Sequence, residues 1–261
     1  MKLIVCMKQV PAAATAGIDP LTKTIIRTGR SAVTNPFDLY ALQTALDIRK
    51  KIGGSVTAIT MGIPSAERVL RDAIARGADS AALLTDRAFA GADTLATSYS
   101  LSLGIKKLGE ADLIVCGKMA VVGDTAQIGP ELAQQLGIPH VSDVSDILEV
   151  SSGYIVVRRV WDELEQELRV PLPALITVIK GQKLPDMPTI TGKLRGRDAE
   201  VISFSTDLLN ADISRCGLRG SPTQVVKTFA PSTRSQAIDI TGEQQLERMA
   251  RICKEVLYGT N

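Results

Sequence analysis

Residues 117–127, GKMAVVGDTAQ, set two glycines, an aspartate and a threonine into one short loop, with no aromatic side chain and no histidine. The apolar run LIVC precedes it and the amphipathic stretch IGPELAQQLG follows, which makes it a strand-to-helix turn. Gly117 and Gly123 let backbone amides approach a ligand closely, while Asp124 or Thr125 is placed to cap the next helix. A helix opening there presents unsatisfied N–H groups and a partial positive charge, which suits a phosphate. The loop GADT at 91–94 has the same build, with Thr97 one turn on, and the hydroxyls of Thr94 and Thr97 suit a sugar or a ribityl chain. Any βαβ domain also needs glycines and caps at such turns, so either phosphate binding or turn chemistry alone accounts for them. There is no G-x-x-x-x-G-K-[ST] for P-loop hydrolysis, and no G-x-G-x-x-G follows the first strand.

Other chemistry finds less support. The single histidine, His140, follows a proline at the start of a strand and has no serine or cysteine motif beside it. Cys6, Cys116, Cys216 and Cys253 lie far apart without CxxC or CxxxH spacing, which supports neither a metal site nor a disulfide framework. Cys6 and Cys116 fall in apolar runs and are expected in the core. No catalytic side chain is assigned; if chemistry occurs, a bound cofactor carries it.

The elements that must position these loops alternate. LIVCM is a strand, IDPLTKTIIRTG a small hairpin or loop, and NPFDLYALQTALDIRKKIGG a helix with Asn35 as cap and Pro36 at its first position. SVTAITMG, SAALLTD and DLIVCG are strands. SAERVLRDAIARGA, with Ser65 as cap, GADTLATSYSLSLGIKKLG and TAQIGPELAQQLG are helices. Strands alternating with helices predict parallel βαβ units, with ligands collecting outside the carboxyl ends of the strands. After Pro139 the runs HVSDVSDILEV, YIVVRRV, QELRV and ALITVIK alternate apolar and polar residues and predict an antiparallel meander, with WDELEQE on a solvated hairpin. Residues 181–235 hold no long periodic segment and predict an extended arm. The closing stretch EQQLERMARICKEVLYG is helical, with Leu246, Met249, Cys253, Val256 and Leu257 on one stripe.

The 261 residues, 45% of them hydrophobic, suffice for one large domain or one with an appendage. A net charge of +2, from 30 basic and 28 acidic side chains without a basic run, does not favour nucleic acid or an anionic membrane. No apolar stretch approaches the roughly 18–20 residues of a membrane span. The expectation is a reduced, cytoplasmic protein.

The motifs VCMKQVP, NPFDLYALQTAL, AITMG, RDAIARGAD, DRAFAGADTLAT, LIVCGKMAVVGDTAQIGPELA, VPLPALITV and GKLRGRDAE together resemble the beta subunit of electron transfer flavoprotein over nearly the whole chain. The resemblance implies a doubly wound, mostly parallel α/β sheet (adenine-nucleotide-binding, Rossmann-like) with an antiparallel extension. Its division would be an α/β domain over 1–185, and an extended arm with a C-terminal helix over 186–261 packing on an alpha subunit. It implies a heterodimer whose alpha subunit holds an electron-transferring FAD. In ordinary members the beta chain carries a structural AMP. In the electron-bifurcating branch, which GDTAQIGPELA and GLRGSPTQVVKTFAP resemble more closely, FAD occupies that site and takes electrons from NADH. Electrons then pass via the alpha-subunit FAD to or from an acyl-CoA dehydrogenase-type partner, with ferredoxin or flavodoxin as a further acceptor.

Carried over by position, the resemblance puts Cys6, Asn35, Pro36, Phe37, Asp38 and Met61 against the adenine nucleotide. Gly117, Lys118, Met119, Ala120, Val121, Val122, Gly123, Asp124, Thr125, Ala126, Gln127 and Ile128 would wrap its phosphates, and Thr94 and Thr97 would serve a flavin. A loop around Ile190, flanked by Lys193 and Arg195, is similar to the family's dehydrogenase-recognition loop. Two stretches depart from the family pattern. Met119–Val122 stand where related loops often read Gln-Ala-Ile-Asp, and Trp161 and Leu164 interrupt an acidic-glycine hairpin.

Overall fold

The computed structural model describes residues 1–12, 32–181, 184–226 and 245–258; the hairpin or loop expected at 18–29 lies outside them. Eleven strands and six α-helices are formed among the described residues: β1 Lys2–Cys6, β2 Gln9–Pro11, β3 Ala32–Thr34, α1 Pro36–Ile52, β4 Ser55–Met61, α2 Glu67–Arg76, β5 Ser80–Leu84, α3 Thr94–Leu108, β6 Leu113–Gly117, α4 Ile128–Leu136, β7 His140–Val150, β8 Tyr154–Trp161, β9 Leu164–Pro171, β10 Ala174–Val178, α5 Ile190–Asp198, β11 Ile202–Phe204 and α6 Gln245–Tyr258. They fall into two units, Met1–Val226 and Lys227–Asn261. Residues 186–226, expected within an arm, thus carry α5 and β11 of the first unit, and α6 belongs to the second.

Nine strands form one sheet in the order β11-β5-β4-β1-β6-β10-β7-β8-β9, and β2 and β3 pair separately. From β11 to β7 every pairing in the large sheet is parallel, its β7-β8 and β8-β9 pairs are antiparallel, and so is the separate β2-β3 pair. The chain runs outward from β1 through β4 to β5, then returns to β6 on the other side of β1. This reversal opens a crevice at the carboxyl ends of β1 and β6. Leu3, Val5, Leu42, Ile48, Leu70 and Ile74 build the core on the α1–α2 face, while Ile4, Ile59, Leu84, Ile105, Ile114 and Leu132 build it on the α3–α4 face. The sheet is doubly wound, as predicted.

The structure corrects three local expectations. ALITV is not a meander strand: β10 inserts between β6 and β7, parallel to both, and all five of its residues are buried. An apolar run buried on both faces is the mark of a central parallel strand, whereas the alternation of β7 to β9 is that of a half-solvated extension. Residues 181–235 do contain a helix, α5, capped by the Thr189 hydroxyl, which accepts from the Gly192 amide. Ser65 does not cap α2, because Pro64–Ala66 form a 3-10 turn and Ala66 stands before the helix.

The reason α5 escapes periodicity lies in how it packs. A Cβ on Gly192 would lie 2.2 Å from the Ala75 carbonyl oxygen, and one on Gly196 would lie 2.4 Å from that of Arg71. α5 therefore meets α2 through bare backbone, and no apolar stripe is needed on its inner face. Two arginines lock the contact. Arg195 donates to the carbonyls of Ile74 (2.6 Å) and Ala78 (3.1 Å) at the end of α2, and Arg71 donates to Gly196 (3.2 Å) at the end of α5. Gly196→Ala gains about 1 kcal/mol of helix propensity but drives a methyl into backbone. We expect a net loss of about 1–3 kcal/mol in denaturant unfolding. Unchanged stability would refute the close packing.

Candidate functional site

At the mouth of the crevice, the end of β1, the first turn of α1 and the end of β6 converge on one carboxyl group. Asp38 is buried, and its oxygens accept from the Lys8 amide (2.7 Å) and the Asn35 side-chain amide (2.9 Å), with the Gly117 amide also hydrogen-bonded to it. Residue 117 must be glycine here, since a Cβ would sit 2.4 Å from Asp38 Oδ1 and 2.8 Å from the Phe37 carbonyl carbon. Burial pushes the Asp38 carboxyl up to about 7 against the pull of Asn35, Lys8 and Gly117. Cys6 and Cys116 are register partners on the adjoining strands and both are buried. A hydrogen bond with Cys6, then burial, holds the Cys116 thiol well above its ordinary range, consistent with a core role.

Asn35 precedes α1, with Pro36 at the helix's first position, but its side chain makes no cap bond. Instead its amide group donates to the Met119 carbonyl (2.9 Å) and its oxygen accepts from the Val121 amide (3.2 Å). Lys8 adds a bond from Nζ to the Val122 carbonyl (3.2 Å). The first half of the 118–127 loop is thereby pinned to β1 and α1. Lys118 is committed on the other side: its amide donates to Val178 (2.8 Å) and its ammonium pairs with Asp143 (3.0 Å).

The second half of the loop departs from expectation. Neither Asp124 nor Thr125 caps α4, which starts at Ile128 after Gln127, with no side-chain cap bond. Positive φ at Gly123 (98°), Asp124 (45°) and Ala126 (54°) keeps the chain out of the helical region until then. Glycine takes this conformation freely and aspartate tolerates it, but Ala126 costs about 1–2 kcal/mol. Residues 123–127 are exposed, and among the described residues the amides of Gly123, Thr125, Ala126 and Gln127 find no protein acceptor. They lie at the amino end of α4, with the Lys8 ammonium 3.9 Å from where a Gly123 Cβ would stand. Free donors, a helix N-terminus and one cation fit an anionic group.

The structure brings most of the sequence-assigned residues together. Pro36 and Phe37 open α1, Met61 ends β4 and Ile128 opens α4. Thr94, at the start of α3, has its hydroxyl 2.9 Å from Glu131 Oε1 and 3.2 Å from Gln127 Oε1, and so ties α3 to α4. Thr97 is half-buried one turn on, its amide donating to the Asp93 carbonyl (3.0 Å). Ile190, Lys193 and Arg195 stand apart on α5. Ile190 is 82% exposed, and the Arg195 guanidinium is taken up by the α2 carbonyls. Sequence reasoning missed Lys8, Asp143 and Glu131. Lys8 lies within VCMKQVP, but nothing local marks a lysine whose partner lies more than a hundred residues away. His140 is exposed at the start of β7.

The Asp38 carboxyl makes stability depend on pH in a defined direction. Its folded value, about 7, exceeds its ordinary 3.8, so between these the unfolded chain has released a proton that the folded chain still holds. Stability therefore falls as pH rises from about 4 to about 7 and levels off above, by at most about 4 kcal/mol. Urea midpoints of Asp38→Asn against the parent chain should show this slope flattened; an identical slope would place the titration elsewhere.

Comparison with known proteins gives the family of the chain. A family model described as "Electron transfer flavoprotein domain" matches residues 22–208. The electron transfer flavoprotein subunit beta of Thermoanaerobacterium thermosaccharolyticum is 44% identical over 243 residues, covering 93% of this chain and 93% of the relative. The FixA protein of Azorhizobium caulinodans is 44% identical over 243 residues, covering 90% of this chain and 86% of the relative. The electron transfer flavoprotein subunit beta of Megasphaera elsdenii is 40% identical over 257 residues, covering 95% and 94%. With the matched region taking in β3 through β11 and the identities extending over nine-tenths of the chain, this protein belongs to the electron transfer flavoprotein family, among its beta subunits and FixA proteins.

Proposed function

We propose that the chain works with an alpha subunit and binds FAD in the crevice, accepting electrons from NADH and passing them on through the alpha-subunit FAD in a bifurcating manner. The observation that carries this is the row of amides at Gly123, Thr125, Ala126 and Gln127 that find no acceptor among the described residues, beside Lys8 and ahead of α4. Such donors suit the diphosphate of FAD. Cys6, Asn35–Asp38 and Met61 border the end where the adenine would lie, and Thr94 and Thr97 stand where a ribityl chain would pass. Bound there, a flavin supplies hydride acceptance and electron transfer. The chain's own residues supply grip and orientation: the Asn35 and Lys8 bonds fix the loop, and Gly117 leaves room for the Asp38 carboxyl and Phe37 beneath it.

A structural AMP in the same crevice is the second candidate, since the amide row serves a monophosphate equally well. Co-expression with the alpha subunit, followed by counting flavin and AMP released per heterodimer, separates the two. Two flavins and no AMP support the proposal, whereas one flavin with one AMP supports the alternative. Asp124→Arg with Thr125→Ala is expected to empty the beta-chain site and leave the alpha flavin bound. Unchanged nucleotide content in that double variant would sink the site assignment.

We assign docking of an acyl-CoA dehydrogenase-type partner to α5. Leu184, Met187, Ile190 and Leu194 are 75%, 77%, 82% and 49% exposed, a density of bare apolar side chains that marks an interaction surface. Lys193 flanks the patch, while Arg195 holds α5 on α2. Ile190→Glu should slow electron transfer to the dehydrogenase by about tenfold or more, as loss of a central apolar anchor does, with nucleotide content unchanged. Equal rates would remove α5 from the interface.

A further inference from the structure

Two aspartates at the carboxyl end of β5 each cap a helix with one oxygen and grip the later chain with the other. Asp86 accepts from the Ala88 amide (3.0 Å) through Oδ1, and from the amide (3.0 Å) and hydroxyl (2.7 Å) of Thr206 through Oδ2. Asp93 accepts from the Ala96 amide (3.0 Å) at the start of α3 through Oδ1, and from the amide (3.1 Å) and hydroxyl (2.7 Å) of Thr223 through Oδ2. The Asp93 amide in turn donates to Ser221 Oγ (2.8 Å), whose hydroxyl donates to the Gly217 carbonyl (2.6 Å). The Leu218 amide reaches the Ala90 carbonyl (3.0 Å). Burial opposes ionisation of Asp93, yet the donors Ala96 and Thr223 outweigh it and hold the carboxyl below the ordinary range.

The two grips differ in what lies behind them. Asp86 leads back to β11 and the 3-10 turn after β5. Asp93 adjoins Thr94, whose hydroxyl meets Gln127 and Glu131 at the foot of the 123–127 loop. Hydrogen bonds from Thr223 to Asp93, the peptide link from Asp93 to Thr94, and hydrogen bonds from Thr94 to Gln127 and Glu131 thus connect the 217–223 segment to the end of the 123–127 loop.

We propose that Asp93 is a positioning residue through which the 217–223 segment braces the nucleotide crevice, so that release of Thr223 loosens the loop ahead of α4. By linkage, whatever grips that loop also steadies the 217–223 segment. The effect on ligand release rests on the nucleotide-binding proposal above; the effect on the ligand-free chain does not.

Three full-length variants test it: Thr223→Val, which deletes the hydroxyl bond; Thr223→Ser, which keeps it; and Thr206→Val, which breaks the Asp86 grip only. In the ligand-free chain, hydrogen exchange of the peptide 127–136 should quicken about fivefold in Thr223→Val, the factor that loss of one net hydrogen bond gives. Thr223→Ser and Thr206→Val should leave it unchanged. Dissociation of FAD, or of AMP if that is bound, should quicken by a similar factor in Thr223→Val alone. Parent-like exchange in Thr223→Val, or equal effects of Thr206→Val, would overturn the brace. If the parent chain retains neither nucleotide, the function proposed above falls, and the exchange data still decide the brace.

Discussion

Asp38 sits where the ends of β1 and β6 meet the first turn of α1, and the donors on its carboxyl group come from all three: Lys8, Gly117 and Asn35. A polar group so deeply placed costs several kcal/mol unless its partners are in place. That penalty restricts the mouth of the crevice to one arrangement. Gly117 is forced by the approach of Asp38 and Phe37, Asn35 is drawn away from capping α1, and the first half of the 118–127 loop is hung from Asn35 and Lys8.

With one half of the loop fixed, the other half can hold backbone conformations that would otherwise relax. Asp124 and Ala126 stay left-handed, α4 starts late, and several amides find no acceptor among the described residues. Local strain held by a well-satisfied surround is common at ligand sites. The sheet contributes the position: strand order reverses between β1 and β6, so helices diverge to opposite faces and leave the loop at the top of the gap. The exposed apolar face around α5 has a similar support. α5 is short and glycine-containing, yet it is held by backbone contact with α2 and by Arg71 and Arg195, which leaves Ile190 and its apolar neighbours facing outward.

Much of this was legible along the chain. The strands LIVC, VTAIT, AALL and LIVCG each form a short buried run between helices with Gly53, Gly77, Gly109 and Gly137 at their ends, and such patterns are local. The Asp93 cap of α3 was not among the caps expected, although its position just ahead of the helix is a local signal. The expected caps at Ser65, Asp124 and Thr125 failed because each depended on where the backbone turns, which Pro64 in one case and the positive φ run in the other decide.

The order of residues by itself determined the alternating elements, the α/β class, the loop that carries the free amides and the family motifs, because each is written in neighbours a few positions apart. Tertiary structure alone decided the rest. It placed β10 between β6 and β7, turned Asn35 from a cap into a brace, raised Asp38 by burial, joined Lys8 to the loop and seated α5 on α2 through two glycines. Those features depend on contacts between residues tens to more than a hundred positions apart. Only the packed sheet brings such residues within hydrogen-bonding distance.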